Sequence, residues 1–325
     1  MKYHFLPVLI ITFFGSVTPV CSGEITPDPH VLIDAMSKAS RELNYDGVFV
    51  YRFGKQVDTM RIIHKSNKDG IYERLISLTG TAREVIRDKD QVRCFFPENK
   101  AVVVEKSRLG KLISSHLPNP IQSVSEFYVF ETIGEDRIAG LNAWIVNIRP
   151  TDKYRYGYQL WIDKDSKLLL KSELKNQLGV TLEQIMFAQL STLEDIDDAL
   201  LQPTVSGKDF TWYNNVKNVS LKVNNNDKQW KVTWMPAGFT MSNHVKEPMM
   251  MSQMPVEHLV YTDGLAMVSI FVEKINQQED TITGPSNFGG VNAYAKHTDG
   301  YQITAVGEVP KTTVKLMADS VKSFH

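Results

Sequence analysis

Between Asn44 and Glu105 the hydrophobic and polar positions alternate in short runs, each broken by turn-forming residues. Gly47–Arg52, Asp58–Lys65, Ile71–Leu78, Arg83–Arg87, Val92–Phe96 and Ala101–Glu105 each read as a strand. Between them, Phe53–Gln56, Ser66–Gly70, Thr79–Thr81, Asp88–Asp90 and Pro97–Asn99 supply most of the Gly, Pro, Asn and Asp. β-Branched and aromatic runs with such punctuation predict a meander. Connections this short make successive strands antiparallel neighbours. Side chains alternate faces along a strand. Phe49, Tyr51 and Phe53 therefore share one face, and Met60, Ile62 and His64 share one face of the next strand. Neither face is cleanly polar, so both are expected to be at least partly covered.

The same reading continues along the chain. Asp28 and Pro29 open a helix whose stripe is Leu32, Ala35, Met36, Ala39 and Leu43. From Ser107 to Phe127 the pattern breaks, with Gly110, Pro118 and Pro120, into a long excursion that reads either as a lid or as solvated linker. Strands resume at Tyr128–Gly134, Asn142–Arg149, Tyr156–Asp163, Leu168–Leu174 and Thr181–Phe187, and a helical turn follows at Asp195–Leu201. Gln202–Lys208 reads as a linker. Beyond it, strands are expected at Lys217–Val223, Gln229–Met235, Glu257–Asp263, Ala266–Glu273, Asn292–Thr298 and Tyr301–Val306, with a closing helix over Pro310–Val321. The organisation is a first domain over residues 24–201, a linker over 202–208 and a second domain over 209–325.

Composition changes this picture little. The chain has 325 residues, 42% hydrophobic and 22% charged, with a formal net charge of −1. That is ordinary for a soluble globular protein and gives no reason to expect nucleic acid. The N-terminus changes more. Met1–His4 is a short basic region and Phe5–Phe14 a short apolar one, with small residues at Ser16, Ser22 and Gly23. This is the pattern of a secretory signal peptide over residues 1–23. Cys21 raises the alternative of a lipoprotein cysteine, although Val20 before it fits that motif poorly. Removal of the signal leaves Cys94, so no disulfide is expected. Cys94 reads as a small buried hydrophobe rather than a nucleophile.

Signs of catalysis are missing. There is no Gly-x-Ser-x-Gly elbow, no phosphate-cradling glycine loop and no Cys-x-x-Cys pair. The eight histidines are scattered without metal-ligand spacing, so no catalytic residue, metal or cofactor is assigned. The run Met249–Met254 has three readings: a flexible apolar binding surface, buried core, or soft ligands for Cu(I). On the first sheet, Phe49, Tyr51 and Met60, with Phe95 and Trp161, are candidates for a lipid-sized apolar pocket. The competing reading is that they simply fill the core.

Several segments carry a family resemblance. Leu43–Arg52 (LNYDGVFVYR), Asp58–Ile62, Glu73–Gly80 and Arg83–Arg87 resemble the N-terminal motifs of the MucB/RseB family, and Gly157–Phe187 is similar to the sheet end of that family and of the lipoprotein carriers LolA and LolB. Trp234–Phe239 and His258–Ala266 resemble the family's C-terminal signature. The resemblance spans both domains. It implies an α+β, mainly antiparallel fold: a LolA-like unclosed half-barrel with covering helices, plus a smaller β-rich C-terminal domain ending in a helix. It also implies a periplasmic negative regulator of an envelope-stress sigma factor, not an enzyme. Such a regulator binds the periplasmic region of a membrane-spanning anti-sigma factor and shields it from site-one proteolysis. Lipopolysaccharide or a lipoprotein-like acylated ligand releases it. On that reading the second domain carries much of the partner contact, with Trp230, Trp234, Tyr261 and Tyr294 as aromatic anchors. Exposed apolar surface would favour a homo-oligomer. The alternatives are a periplasmic lipid or lipoprotein carrier without a regulatory partner, and an exported hydrolase.

The signal-peptide reading has a direct check. Intact-mass measurement of protein from the envelope fraction should give a chain that begins close to Ser22 or Gly23. A retained Met1 or an acylated Cys21 refutes it.

Overall fold

The computed structural model describes residues 26–89, 91–106, 117–118, 120–214, 229–248, 255–275 and 283–324. The signal segment, most of the excursion over 107–116, the strand expected at Lys217–Val223 and the Met249–Met254 run lie outside them.

Helix α1 (Pro29–Glu42) starts where a cap is available: the Asp28 carboxylate accepts from the backbone N–H of His30 and Val31, and Pro29 occupies the first turn. Its stripe of Leu32, Ile33, Met36 and Ala39 is buried. Six strands then follow as a meander: β1 (Asn44–Phe53), β2 (Gln56–Asn67), β3 (Gly70–Ser77), β4 (Glu84–Asp88), β5 (Gln91–Phe96) and β6 (Ala101–Lys106). The chain returns as β7 (Tyr128–Ile138), β8 (Leu141–Pro150), β9 (Gly157–Asp163), β10 (Leu169–Lys175) and β11 (Thr181–Leu193). β11 pairs antiparallel with β1 and so joins the two meanders into one sheet. A short strand, β12 (Thr211–Asn214), lies parallel to β6. The result is a twelve-stranded sheet in the order β12-β6-β5-β4-β3-β2-β1-β11-β10-β9-β8-β7. Its two edges, β12 and β7, do not pair with each other, so the sheet is unclosed.

The second unit contains β13 (Gln229–Val232), β14 (Thr240–Pro248), β15 (Pro255–Thr262), β16 (Met267–Lys274), β17 (Gly284–Phe288), β18 (Val291–Thr298), β19 (Tyr301–Gly307), α2 (Lys311–Asp319) and β20 (Val321–Phe324). Six of the strands form one sheet in the order β14-β15-β16-β19-β18-β17, and β13 pairs separately with β20. α2 packs on β18 and β19. The core there is Trp230, Leu259, Tyr261, Val268, Ile270, Ile303, Ala305, Val314 and Met317.

Four differences from the sequence reading have physical causes. The last helix stops at Asp319, and Val321–Phe324 instead pairs with β13, because a β-branched residue after the cap finds a strand partner. Strands β14 (TMSNHVKEP) and β17 (GPSNF) are sheet edges and mainly polar, so they carry no alternation to read. Thr211–Asn214, which the sequence places at the start of the second domain, lies on the edge of the large sheet. The described end of the 107–127 excursion is core: Leu117, Ile121 and Val124 are buried against α1, and Asp34 accepts from the Ile121 N–H at 3.0 Å.

A buried ion pair joins the two units. Arg155, in the loop before β9, and Asp263, in the β15–β16 turn, both have fully buried side chains and meet at 2.9 Å. Tyr128 also donates to Asp263, at 2.9 Å, and the Leu265 and Ala266 N–H groups supply its other oxygen. The guanidinium donates as well to the carbonyl of Ala237 and lies over the rings of Phe127, Tyr128 and Phe239. The Phe127 ring crosses Gly238 so closely that a Cβ there would fall 2.3 Å from it, and Gly238 has φ +83°, so a side chain is excluded twice over. Removing one partner of a buried pair strands the other charge. Asp263→Ala should therefore cost about 3–5 kcal/mol in urea unfolding. A loss below about 1 kcal/mol would put the pair among interactions of surface strength.

Candidate functional site

The register of the large sheet sorts its side chains onto two faces. One face carries Phe49 and Tyr51 on β1, Met60 and Ile62 on β2, and Ile185 and Phe187 on β11. Gly47 faces Ile62, and the row continues by direct pairing through Leu75, Val85, Cys94 and Val103 to Tyr213. Along this row burial is greatest at Ile62 and least at Tyr213. Ile62 is 5% exposed; Leu75, Val85, Cys94 and Val103 are half-buried; Tyr213 is 46% exposed. Among the described residues, this is a continuous apolar strip open on one side. At its inner end Gly47 has no room for a side chain: a Cβ would meet Phe187 at 2.7 Å and the Gln189 carbonyl at 2.9 Å.

Three of the five sequence candidates for the pocket meet on this face. Phe49 and Met60 are direct cross-strand partners, buried under Ala39 with Phe187. Tyr51 packs at the margin of that cluster and donates to Glu183 at 2.8 Å. Burial and that carboxylate hold its phenol well above the usual range. Phe95 and Trp161 fall on the opposite face. Phe95 packs with Ile86, Val102, Val205 and Phe210, where the return from β11 crosses the sheet. Trp161 pairs across strands with Lys171, whose ammonium lies 3.9 Å from its ring centre, and its indole N–H donates to Asp136. The strip residues Leu75, Val85, Cys94 and Val103 were missed by sequence reasoning. Strand alternation was the available signal, but their alignment needs four successive registers.

Beside the apolar row runs a polar one. His64, Glu73 and Arg87 are successive cross-strand partners. His64 is 1% exposed, stacks on Tyr45 at 4.6 Å and donates from Nδ1 to the Leu43 carbonyl at 2.9 Å. Glu73 lies 3.7 Å from its Nε2 and 3.1 Å from Arg87. Burial depresses the His64 pKa, and Glu73 opposes that shift.

The second unit docks on the same face, at the far ends of the strands. Tyr158, Leu174, Glu183 and Phe53 form one cross-strand row. Phe288 packs on Phe53 at 4.6 Å, the Gly290 N–H donates to Glu183 at 2.8 Å, and Tyr158 donates to Glu308 at 2.9 Å. Gly290 is pressed so near Leu174 that a Cβ would fall 2.4 Å from its Cδ2. Of the four candidate anchors, Trp230 and Tyr261 are core residues, 3% and 4% exposed, because so small a sheet has little else to bury. Trp234 and Tyr294 keep part of their surface. Trp234 stands edge-on to Tyr154 over a shallow groove that Leu316, Asp319 and Ser320 complete. No group of three or more metal-ligating side chains occurs among the described residues.

Family models match both units: MucB/RseB N-terminal domain over residues 28–205 and MucB/RseB C-terminal domain over residues 224–322. The chain belongs to the MucB/RseB family. Its relatives include the sigma factor AlgU regulatory protein MucB of Pseudomonas aeruginosa, 30% identical with 96% of each chain covered. The sigma-E factor regulatory protein RseB of Escherichia coli K12 is 26% identical, covering 99% of this chain and 98% of its own. Among solved structures, the Pseudomonas aeruginosa MucA/MucB complex matches with a TM-score of 0.71 and 28% identity, over 92% of this chain and 100% of that one. A crystal structure of MucB matches with a TM-score of 0.64 and 28% identity, over 90% of this chain and 97% of that one. MucB/RseB architecture thus accounts for both the unclosed sheet and the smaller sheet with its late helix.

The buried imidazole gives this family member a pH dependence of known sign. With its folded pKa depressed, His64 is neutral in the fold and takes up a proton more readily when unfolded. Stability from this site is present above the unfolded value of about 6.5 and is lost as pH falls below it. NMR titration of the ring should give a midpoint below that of free histidine, and His64→Gln should flatten this part of the stability profile. A midpoint at or above 6.5 would contradict it.

Proposed function

We propose that this chain is a non-enzymatic periplasmic regulator that binds the periplasmic region of a membrane-spanning anti-sigma factor and shields it from site-one proteolysis. Lipopolysaccharide or a lipoprotein-like acylated ligand releases it. The observation that carries this reading is the full-length likeness to MucB as it occurs in complex with the periplasmic part of MucA. Relatives named as sigma factor regulatory proteins, matched nearly end to end, support it.

The acyl ligand is assigned to the strip of Leu75, Val85, Cys94 and Val103, continuous with Phe49, Tyr51 and Met60. Half-buried apolar side chains on an open sheet face are what a hydrocarbon chain can cover, at about 25 cal/mol per Å2 of apolar surface removed from water. The partner is assigned to the second unit, where Trp234 and Tyr294 are the aromatic anchors with surface to offer. An extended segment can add to the outer edge of β14 or β17, the edge strands among the described residues, with backbone hydrogen bonds supplying affinity. Release then follows from linkage: a ligand that prefers the unbound regulator weakens the complex by the same factor that the partner weakens ligand binding.

The test uses the full chain, the periplasmic region of the anti-sigma factor and the site-one protease, with and without lipopolysaccharide. Cleavage should slow when the chain is added and recover when the lipid follows. Trp234→Ala should weaken partner binding by about 2 kcal/mol, roughly thirtyfold. Leu75→Ser with Val103→Ser should leave protection intact and abolish release. Lipid binding without any protection would instead identify a carrier.

A further inference from the structure

Two carboxylates, Glu183 and Glu308, stand on either side of the seam between the domains. Glu183 projects from β11 of the large sheet; Glu308 follows β19 of the small one. Glu183 accepts from the Gly290 N–H at 2.8 Å and from the Tyr51 hydroxyl at 2.8 Å. Glu308 accepts from the Tyr158 hydroxyl at 2.9 Å. Among the described residues neither carboxylate forms an ion pair. Among the described residues, the ionisable groups around them include Tyr156 ahead of β9, which Asn292 meets at 3.0 Å, Asp58 on β2 near Tyr51, and Tyr128 beyond Tyr158. The nearby cation Arg155 is committed to Asp263 and Asp152.

We infer that Glu183 and Glu308 form a proton-operated latch that holds the two domains docked while Glu308 is neutral and loosens them when both carboxylates are charged. The latch concerns the two domains of this chain alone, whatever partner they bind.

The geometry fixes the sign. Glu308 is half-buried at the seam, the water it loses there is lost only while the domains are docked, and such desolvation favours the neutral carboxyl. Burial first, and the Glu183 charge second, push Glu308 from its ordinary 4.5 up to about 7, with the Tyr158 hydroxyl pulling back. Undocked, Glu308 regains water and its ordinary value. The docked form therefore binds more protons between these two values. Its extra stability is complete below the undocked value of 4.5 and is lost as pH rises through about 7. Acid tightens this seam, the reverse of the His64 effect, and the two are separable because they sit in different places.

Gly290 reports on the latch directly, because its amide donates to Glu183 across the seam. Hydrogen exchange of the full chain, corrected for the intrinsic pH dependence, should give a Gly290 protection factor that falls about ten- to a hundredfold between pH 5 and pH 7.5. Amides inside β1 should keep theirs. Glu308→Gln keeps the acceptor for Tyr158 without the charge, so Gly290 should stay at its acid-side protection throughout. If that variant does not fold, Glu183→Gln removes the opposing charge and should shrink the pH response. A Gly290 protection factor independent of pH in the wild-type chain overturns the inference, as does an undiminished fall in the variants.

Discussion

The arrangement of this protein depends on one buried ion pair. Arg155 and Asp263 are both without solvent contact, and each ion taken from water costs several kcal/mol before any attraction is counted. The cost is met by saturating Asp263: one oxygen takes Arg155 and the Tyr128 hydroxyl, the other two backbone N–H groups of its own turn. The Arg155 guanidinium also lies within 5.6 Å of the ring centres of Phe127, Tyr128 and Phe239. Such a pair contributes little net stability against an apolar alternative, but it tolerates few geometries. It pins the β15–β16 turn to the loop before β9. That in turn places Gly290, Phe288 and Glu308 on the row Leu174, Phe53 and Tyr158.

From that placement follows which part of the sheet stays open. A large antiparallel sheet with apolar residues on both faces must be covered on both. The return from β11 covers one face, with Ile196 and Leu201 on Ile63, and Val205 and Phe210 on Phe95. On the other face α1 and the 117–124 segment cover the middle, and the second domain covers the ends of β1, β9 and β11. Among the described residues, what remains is the β3–β6 strip. Its openness is a consequence of three covering elements having been fixed elsewhere, not of any property of Leu75 or Val103 alone.

Local features were legible in the sequence because they are local. Asp28 and Pro29 announce the helix start, and Phe49, Tyr51 and Met60 fall on one face because alternation and a tight turn suffice to put them there. Trp161 went to the other face for a non-local reason: its side is set by registers through β10 and β11 to β1, with bulges at Leu169/Lys171 and Val48/Phe49. No sequence period announces that β11 returns to β1 or that β12 joins β6 in parallel. Arg155 carries no motif at all. It reads as one more loop arginine until Asp263, 108 residues away, is brought against it. Aromatic content misled in the second domain for a related reason: Trp230 and Tyr261 look like anchors, but a small sheet needs them inside.

Strand β1 joins these regions mechanically. Its alternate residues run from Phe49 in the α1 core, through Tyr51 on Glu183, to Phe53 under Phe288. Met60, across from Phe49, continues on β2 into the face that holds the open strip. On the reading proposed above, a ligand lying on that strip and a partner gripping the second domain act on opposite ends of the same paired strands. Packed interiors do not deform continuously, so a small displacement at one end is resisted or transmitted as a unit. A coupling of 1–3 kcal/mol between two such sites changes affinity by about 5–150-fold. On the regulator reading, that range is sufficient for lipid to release a partner without touching it. It also explains why a seam built on one rigid ion pair and one uncompensated carboxylate pair suits such a protein: the first sets where the domains meet, and the second leaves how tightly they meet open to change.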